Sequence, residues 1–173
     1  MDGLRTGDIL AGNCPGVFDW SLNKALSVFY PEWRGREFQP CHLRIAWKPV
    51  PFRSDLFFTI DATRNGVLPG IIEKTDPLWR NYHWLELTPF PKEFDEWLAG
   101  YIGKPYDFDE YFKTLWFVLA GKDGWYTAPY DNNKKYHCWE LACNFVYDFG
   151  KPLKQRNEPP VIVKIAQRLE MGR

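Results

Sequence analysis

Polar and apolar residues alternate in several segments of the first half of the chain, with the two-residue period that is typical of β-strands. In one segment, His42 and Arg44 fall on the more polar face, opposite Leu43 and Ile45. In a later segment, Asp61 also falls on the polar face. The alternation predicts strands over residues 6–10, 42–47, 56–62 and 83–88, with a further strand after the turn signal at 64–66.

Apolar residues at intervals of three to four positions predict helices, most of them in the second half. Leu141, Phe145 and Phe149 form one stripe of a helix that begins at Cys138 and is followed by Gly150. Further helices are predicted over residues 18–30, 93–102, 109–120 and 160–169. Because strands come first and helices later, the sequence predicts an α+β fold. No repeat or long linker divides the chain, so we expect a single domain over residues 1–173.

The charge balance argues against one class of partner. Lys and Arg total 22, as do Asp and Glu, so the chain has no general electrostatic attraction to nucleic acid. No segment approaches the roughly 18 apolar residues of a membrane-spanning helix, and the start lacks the pattern of a secretory signal. We therefore expect a soluble protein that is cytoplasmic as made, with delivery by a phage or a dedicated export machine left open.

Four cysteines are present and none belongs to a C-x-x-C motif, so neither a zinc ribbon nor a dithiol redox pair is indicated. Cys138 lies at the predicted start of a helix. There the helix dipole stabilises a thiolate, and free backbone N–H groups can hold an oxyanion. Cys143 is rotated away from Cys138 and is expected to be buried. Cys14 lies in a predicted loop, and Cys138 is preferred to it as a nucleophile.

His42 and Asp61 complete a candidate site. Histidine is the side chain that most often acts as a general base near neutral pH, although a histidine on a strand is more often structural. Asp61 lies on the polar face of the following strand, where it could hold the second nitrogen of the imidazole or simply be a turn or cap residue. Together with Cys138 these two residues have the chemistry of a Cys-His-Asp triad.

Four short motifs occur in an order that points to a family. They are Gly7-Asp8-Ile9-Leu10, His42-Leu43-Arg44-Ile45, Gly103-Lys104-Pro105-Tyr106-Asp107-Phe108 and His137-Cys138-Trp139-Glu140-Leu141. With these motifs the chain resembles the NlpC-type papain-like hydrolases in their circularly permuted form, and in particular the subgroup named after YiiX. In the ordinary form the half that carries the cysteine comes first, whereas here the two halves are exchanged.

The resemblance implies a permuted papain-like fold, in which a small antiparallel sheet or barrel packs against the helix that bears the nucleophile. It assigns Cys138 as the nucleophile, His42 as the base and Asp61 as the acid that orients the imidazole. Tyr106 would line the substrate site near the thiol. Trp139, which follows the nucleophile where the family often has serine, would also contact the substrate. The resemblance implies neither a cofactor nor a metal.

We therefore expect a thiol hydrolase that cleaves an amide or ester bond, with the peptide amides of peptidoglycan as the first candidate substrate. A lipid acyl hydrolase or acyltransferase is the alternative within the same fold, because the resemblance extends to lipid acyltransferases of the permuted group. The aromatic content of 18% suits an acyl chain and a glycan equally. The sequence does not indicate an oligomeric state.

Two other interpretations stay open. The adjacent pairs Cys41-His42 and His137-Cys138 together offer four possible zinc ligands. Neighbouring residues on a strand point to opposite faces, however, so Cys41 and His42 do not easily reach one ion. The other alternative is a binding module that keeps the fold without catalysis, since a fold does not guarantee an activity.

Overall fold

The computed structural model describes residues 3–12, 24, 42–82, 93–109, 112 and 135–149. These residues form five strands and two helices. In chain order they are β1 (Ile9–Gly12), β2 (His42–Val50), β3 (Arg53–Thr63), β4 (Gly66–Glu73), β5 (Trp79–Tyr82), α1 (Glu93–Tyr101) and α2 (Cys138–Phe149). The strands make one antiparallel sheet in the order β4-β3-β2-β1-β5. The α+β class expected from the sequence is therefore confirmed.

The second half of β3 is enclosed on both faces of the sheet. Every side chain from Thr59 to Ala62 is buried, so both faces of the strand are covered there. Ile60 is paired directly with Ile45 of β2, and both side chains are buried. A cluster of buried residues continues across the other strands and consists of Leu4, Leu10, Ala46, Phe57, Ile72 and Trp79. A polar side chain in this stretch of β3 is consequently removed from water.

The first strand begins later than the alternation predicts. The prediction of a strand from residue 6 is wrong, because Gly7 has a positive φ of 86° and belongs to a turn. The buried carboxylate of Asp8 accepts a hydrogen bond from the Arg5 N–H at 2.8 Å and closes that turn. The N–H of Gly7 donates to the carbonyl of Ala46 at 2.8 Å. Gly7 and Asp8 thus form the turn that precedes β1.

The hairpin of β2 and β3 is longer than the sequence predicts. β2 continues beyond Trp47 to Val50, and β3 begins at Arg53 instead of Leu56. The pairing between the strands shifts register on both sides of Pro49. Proline has no N–H to donate to the sheet, which is why it is tolerated at such an irregularity.

Both described helices match their predictions closely, α2 at both ends and α1 to within one residue. Aromatic rings join them, with Phe94 and Phe145 at 5.4 Å and Trp97 and Phe149 at 5.7 Å between ring centroids. The Trp97 indole N–H also donates to the carboxylate of Asp148 at 2.7 Å. α2 packs on β2 and β3, so its first turn comes close to the start of β2.

A short extended segment ties the sheet to the start of α2. The N–H of Val67 in β4 donates to the carbonyl of Lys104, and the N–H of Gly103 donates to the carbonyl of Val67, each at 2.8 Å. Further along the same segment, the carbonyl of Pro105 accepts a hydrogen bond from the N–H of Tyr136 at 3.0 Å. The segment 103–107 is therefore hydrogen-bonded to β4 at one end and to the residues that precede Cys138 at the other.

Several predicted elements lie outside the described residues. They are the helix at 18–30 apart from Lys24, the helix at 160–169, the strand at 83–88 and most of the helix at 109–120. The strand at 79–82 was not predicted, because its inner residues Arg80 and Asn81 give no alternation. None of the helices in the described residues combines the length and the hydropathy that crossing a bilayer requires.

We predict that Gly66→Ala destabilises the protein by about 1–3 kcal/mol, because Gly66 has a φ of 103° and an added Cβ would lie 2.5 Å from the carbonyl oxygen of Lys104. Urea unfolding measures the effect. Gly100→Ala is the matched control, because a Cβ at Gly100 meets no atom within 4 Å and Gly100 lies in α1. It should leave stability unchanged or raise it by up to about 1 kcal/mol. Equal stabilities of the two variants would contradict the proposed junction between β4 and segment 103–107.

Candidate active site

Three of the side chains singled out in the sequence come from three separate elements and meet. His42 is the first residue of β2, Asp61 lies in the buried second half of β3, and Cys138 is the first residue of α2. Arg44 is paired directly with Asp61 across the two strands. Because side chains alternate along a strand, His42 and Arg44 share a face, and both can reach the carboxylate of Asp61.

The Asp61 carboxylate is only 4% exposed and receives one cationic or imidazole partner on each oxygen. Nε2 of His42 lies 2.5 Å from Oδ1, and Nε of Arg44 donates to Oδ2 at 2.8 Å. A buried carboxylate is costly unless hydrogen bonds and opposite charge replace the lost water. Both requirements are met here, so Asp61 is a satisfied buried charge and not a turn or cap residue.

His42 has Cys138 as its other partner. Burial lowers the pKa of His42, but the electrostatic interaction with Cys138, the hydrogen bond to Asp61 and the charge of Asp61 raise it. A hydrogen bond with Cys138 adds to this, and the net result is a pKa well above 6.5. Because Nε2 faces Asp61, Nδ1 is the ring nitrogen left for the sulfur. Cys138 is a free thiol that is 7% exposed.

The residue before Cys138 caps α2. Nδ1 of His137 accepts a hydrogen bond from the Glu140 N–H at 3.3 Å. The backbone carbonyl of His137 accepts a second hydrogen bond, from the Leu141 N–H, at 3.0 Å. Burial lowers the pKa of His137 to about 4, although the carboxylate of Asp107 acts in the opposite direction. At neutral pH the ring is therefore uncharged and its Nδ1 can serve as the cap. From the sequence, His137 was part of the motif around the nucleophile and a possible zinc ligand, and no local signal indicated that it caps the helix.

Trp79 forms a wall beside the imidazole. Its buried ring meets the His42 ring edge-on, with the centroids 6.0 Å apart and the planes at 72°. The guanidinium carbon of Arg44 lies 4.3 Å from the centroid of the Trp79 ring. Gly12 is paired with both His42 and Trp79, and a Cβ at Gly12 would come within 2.5 Å of the indole. A glycine at this position is therefore what allows Trp79 to lie close to the site.

Of the two predicted substrate-binding residues, the structure describes the side chain of Tyr106 but not that of Trp139. Tyr106 is half-buried in segment 103–107, and its ring contacts the exposed Phe108 with centroids 4.8 Å apart. The backbone of Trp139 belongs to α2, whereas its side chain lies outside the described part of the structure. No contact with a substrate follows for either residue from these positions, so both assignments stay predictions.

The side chains of the other three cysteines lie outside the described part of the structure. Neither Cys14 nor Cys41 is among the described residues, and the same is true of the side chain of Cys143. In the described part of the chain, no group of three or more His, Cys, Asp or Glu side chains has the arrangement of a metal site.

Comparison of the chain with family models, with curated proteins and with solved structures gives no match. The chemistry of the site is therefore read from its own geometry. A thiol next to an imidazole, with the far side of the imidazole held by a carboxylate, is the arrangement that activates a cysteine for attack on a carbonyl carbon.

We predict that acid destabilises the protein partly through His137. Its pKa is about 4 in the folded state and near 6.5 when unfolded, so between these values the unfolded chain binds more protons and stability falls as the pH falls. Protonation also removes the acceptor that caps α2. The variant His137→Asn keeps a capping oxygen and does not titrate.

Urea unfolding at pH 4, 5, 6 and 7 measures the difference. Wild type should lose about 1–2 kcal/mol more than His137→Asn between pH 7 and pH 4, a figure discounted for the partial exposure of the ring. The same pH dependence in both proteins would mean that His137 is not the acid-sensitive group.

Proposed function

We propose that the chain is a thiol hydrolase that cleaves an amide or ester bond, with Cys138 as nucleophile, His42 as base and Asp61 as the residue that orients the imidazole. One observation carries the proposal. His42 interacts at the same time with the buried Asp61 carboxylate and with the Cys138 sulfur at the first turn of α2. The three residues lie far apart in the sequence, so local structure does not account for their meeting.

A purely structural role explains the cluster less well. Burying a carboxylate and an imidazole together gives little net stability, since well-packed apolar side chains do as well or better. Strongly shifted pKa values, such as that of His42, concentrate at functional sites. The partial exposure of the His42 side chain, 16%, leaves the cluster within reach of a ligand.

The proposed reaction has two acyl-transfer steps. His42 takes the proton of Cys138, the sulfur bonds to the substrate carbonyl carbon, and the C–N or C–O bond breaks as His42 gives the proton to the leaving group. The acyl group is then a thioester of Cys138. Water attacks this thioester while His42 takes its proton, the S–C bond breaks, and a carboxylate product leaves. Asp61 keeps the imidazole oriented throughout.

The start of α2 also supplies donors for the oxyanion. His137 already accepts from the N–H groups of Glu140 and Leu141. The backbone N–H groups of Cys138 and Trp139 are the other two of the first turn, and they lie beside the sulfur that attacks. Such donors stabilise the charge that develops on the carbonyl oxygen.

The permuted papain-like fold is part of the proposal and is supported by the order of the elements. The histidine strand precedes the cysteine helix, and the segment with Gly103-Lys104-Pro105-Tyr106 leads from β4 to that helix through backbone hydrogen bonds. On the resemblance, a peptidoglycan-type peptide amide is the first substrate to test. A lipid acyl group, the alternative within the same fold, is the second.

We predict that Cys138 reacts with iodoacetamide unusually fast in acid. At pH 6 an ordinary thiol, with a pKa of roughly 8.5, is less than about 1% thiolate. The raised pKa of His42 favours an imidazolium that stabilises the thiolate of Cys138. The ratio of the labelling rates at pH 6 and pH 9 should exceed that of a small reference thiol by at least about tenfold.

The labelled residue is identified by mass spectrometry, with Cys138→Ala as the negative control. The ratio removes the influence of access to the buried sulfur, because access affects both rates alike. His42→Ala should return the ratio to that of the reference thiol, and Asp61→Asn should lower it partway. If Cys138 of the wild-type protein shows the same ratio of rates as the reference thiol, the hydrolase proposal fails and the binding module becomes the better interpretation.

A further inference from the structure

We propose that Arg44 is a positioning residue of this site, which acts through Asp61 to hold the imidazole of His42 in line with Cys138. The inference rests on the proposed function and extends the triad by one residue. Arg44 lies on the same face of β2 as His42, and its side chain is 24% exposed. The hydrogen bond from its Nε to Asp61, at 2.8 Å, is directed to the oxygen that His42 does not use.

The two oxygens of Asp61 are thus assigned to different partners. A carboxylate with one hydrogen bond can turn about its Cβ–Cγ bond, whereas one held at both oxygens has a fixed plane. With Oδ2 bound to Arg44, Oδ1 points at Nε2 of His42. The imidazole then has one orientation, and its other nitrogen faces the sulfur.

The charge of Arg44 has a second consequence. During the proposed reaction His42 alternates between imidazolium and imidazole, so it compensates the buried Asp61 carboxylate for only part of the cycle. A guanidinium remains protonated at every pH at which a protein is folded. Arg44 therefore compensates the charge of Asp61 in the steps in which His42 is neutral. The carboxylate of Asp61 keeps the same orientation throughout the reaction.

Arg44 is itself held in place. Its guanidinium stacks over the ring of Trp79 with 4.3 Å between the guanidinium carbon and the ring centroid, and Trp79 is buried against Gly12. The indole thus contacts both Arg44 and His42, the two residues that bind Asp61. A flat cation on a flat ring restricts the rotamers that Arg44 can adopt, and a lysine would not reproduce this contact or the planar N–H geometry.

The test is a cycle of variants in the full chain, followed by iodoacetamide labelling of Cys138 from pH 5 to pH 9. Arg44→Met keeps an unbranched apolar side chain beside Trp79 but removes the guanidinium, and with it the donor, the charge and the stacking contact. We expect it to lower the labelling rate at pH 6 by about tenfold and to leave the rate at pH 9 within about twofold, because at pH 9 the thiolate forms without help from His42.

In the background of Asp61→Asn, Arg44→Met should change the labelling rate at pH 6 by less than about twofold. The reason is that the carboxylate through which Arg44 acts on His42 is already absent. Arg53→Met is the matched control. It removes the exposed Arg53–Asp55 pair at the far end of β3, in which Nη2 lies 2.8 Å from the carboxylate, and should not alter the pH profile.

Three results would overturn the inference: no loss at pH 6 in Arg44→Met, an equal loss with and without Asp61, or a loss of the same size at pH 6 and pH 9. If Arg44→Met does not fold, Arg44→Lys goes through the same cycle and is expected to lose less at pH 6, since it keeps the charge. Failure of the hydrolase proposal is recognised separately, because wild type would then show no advantage at pH 6 that depends on His42.

Discussion

The carboxylate of Asp61 is buried in the middle of the sheet, and the candidate site depends on how that charge is compensated. One oxygen is bound by His42 and the other by Arg44, and both partners come from the neighbouring strand. The alternation of β2 places these two residues on one face, two positions apart, so a single carboxylate on β3 reaches both. The register of β2 against β3 is therefore a requirement of the chemistry. A slip by one residue would turn the donors away from Asp61.

The sheet orients the imidazole, but the thiol comes from elsewhere in the chain. Cys138 reaches His42 because α2 packs on β2 and β3 and because segment 103–107 joins β4 to the residues before α2 by backbone hydrogen bonds. The aromatic contacts of α1 with α2, such as Phe94 against Phe145, support the same helix from its other end. The imidazole of His137 completes the arrangement by capping the helix at the residue before the nucleophile.

Periodicity predicted α2 to its last residue and put His42 and Asp61 on polar faces, because both signals are local. It could not predict that Asp61 has two partners, since strand register depends on pairing between distant residues. Arg44 was visible on the face of His42 but had no assigned role, because its partners Asp61 and Trp79 lie on other strands. The strand that carries Trp79 could not be predicted either, because it is short, has two polar residues in the middle and shows no alternation. The turn at Gly7 displaced the predicted start of β1 because a positive φ has no signature in hydropathy.

The interaction between the thiol and the imidazole is tested most directly by an NMR titration of the His42 ring in wild type and in Cys138→Ala, with the signal assigned by comparison with His42→Ala. We expect the pKa of His42 to lie well above 6.5 in wild type, because the interactions with Cys138 and Asp61 outweigh the effect of burial. In Cys138→Ala the contribution of the sulfur is gone while burial and Asp61 remain, so the pKa of His42 should fall. The same pKa in both proteins would contradict the proposed catalytic pair, since it would mean that the imidazole and the thiol do not interact.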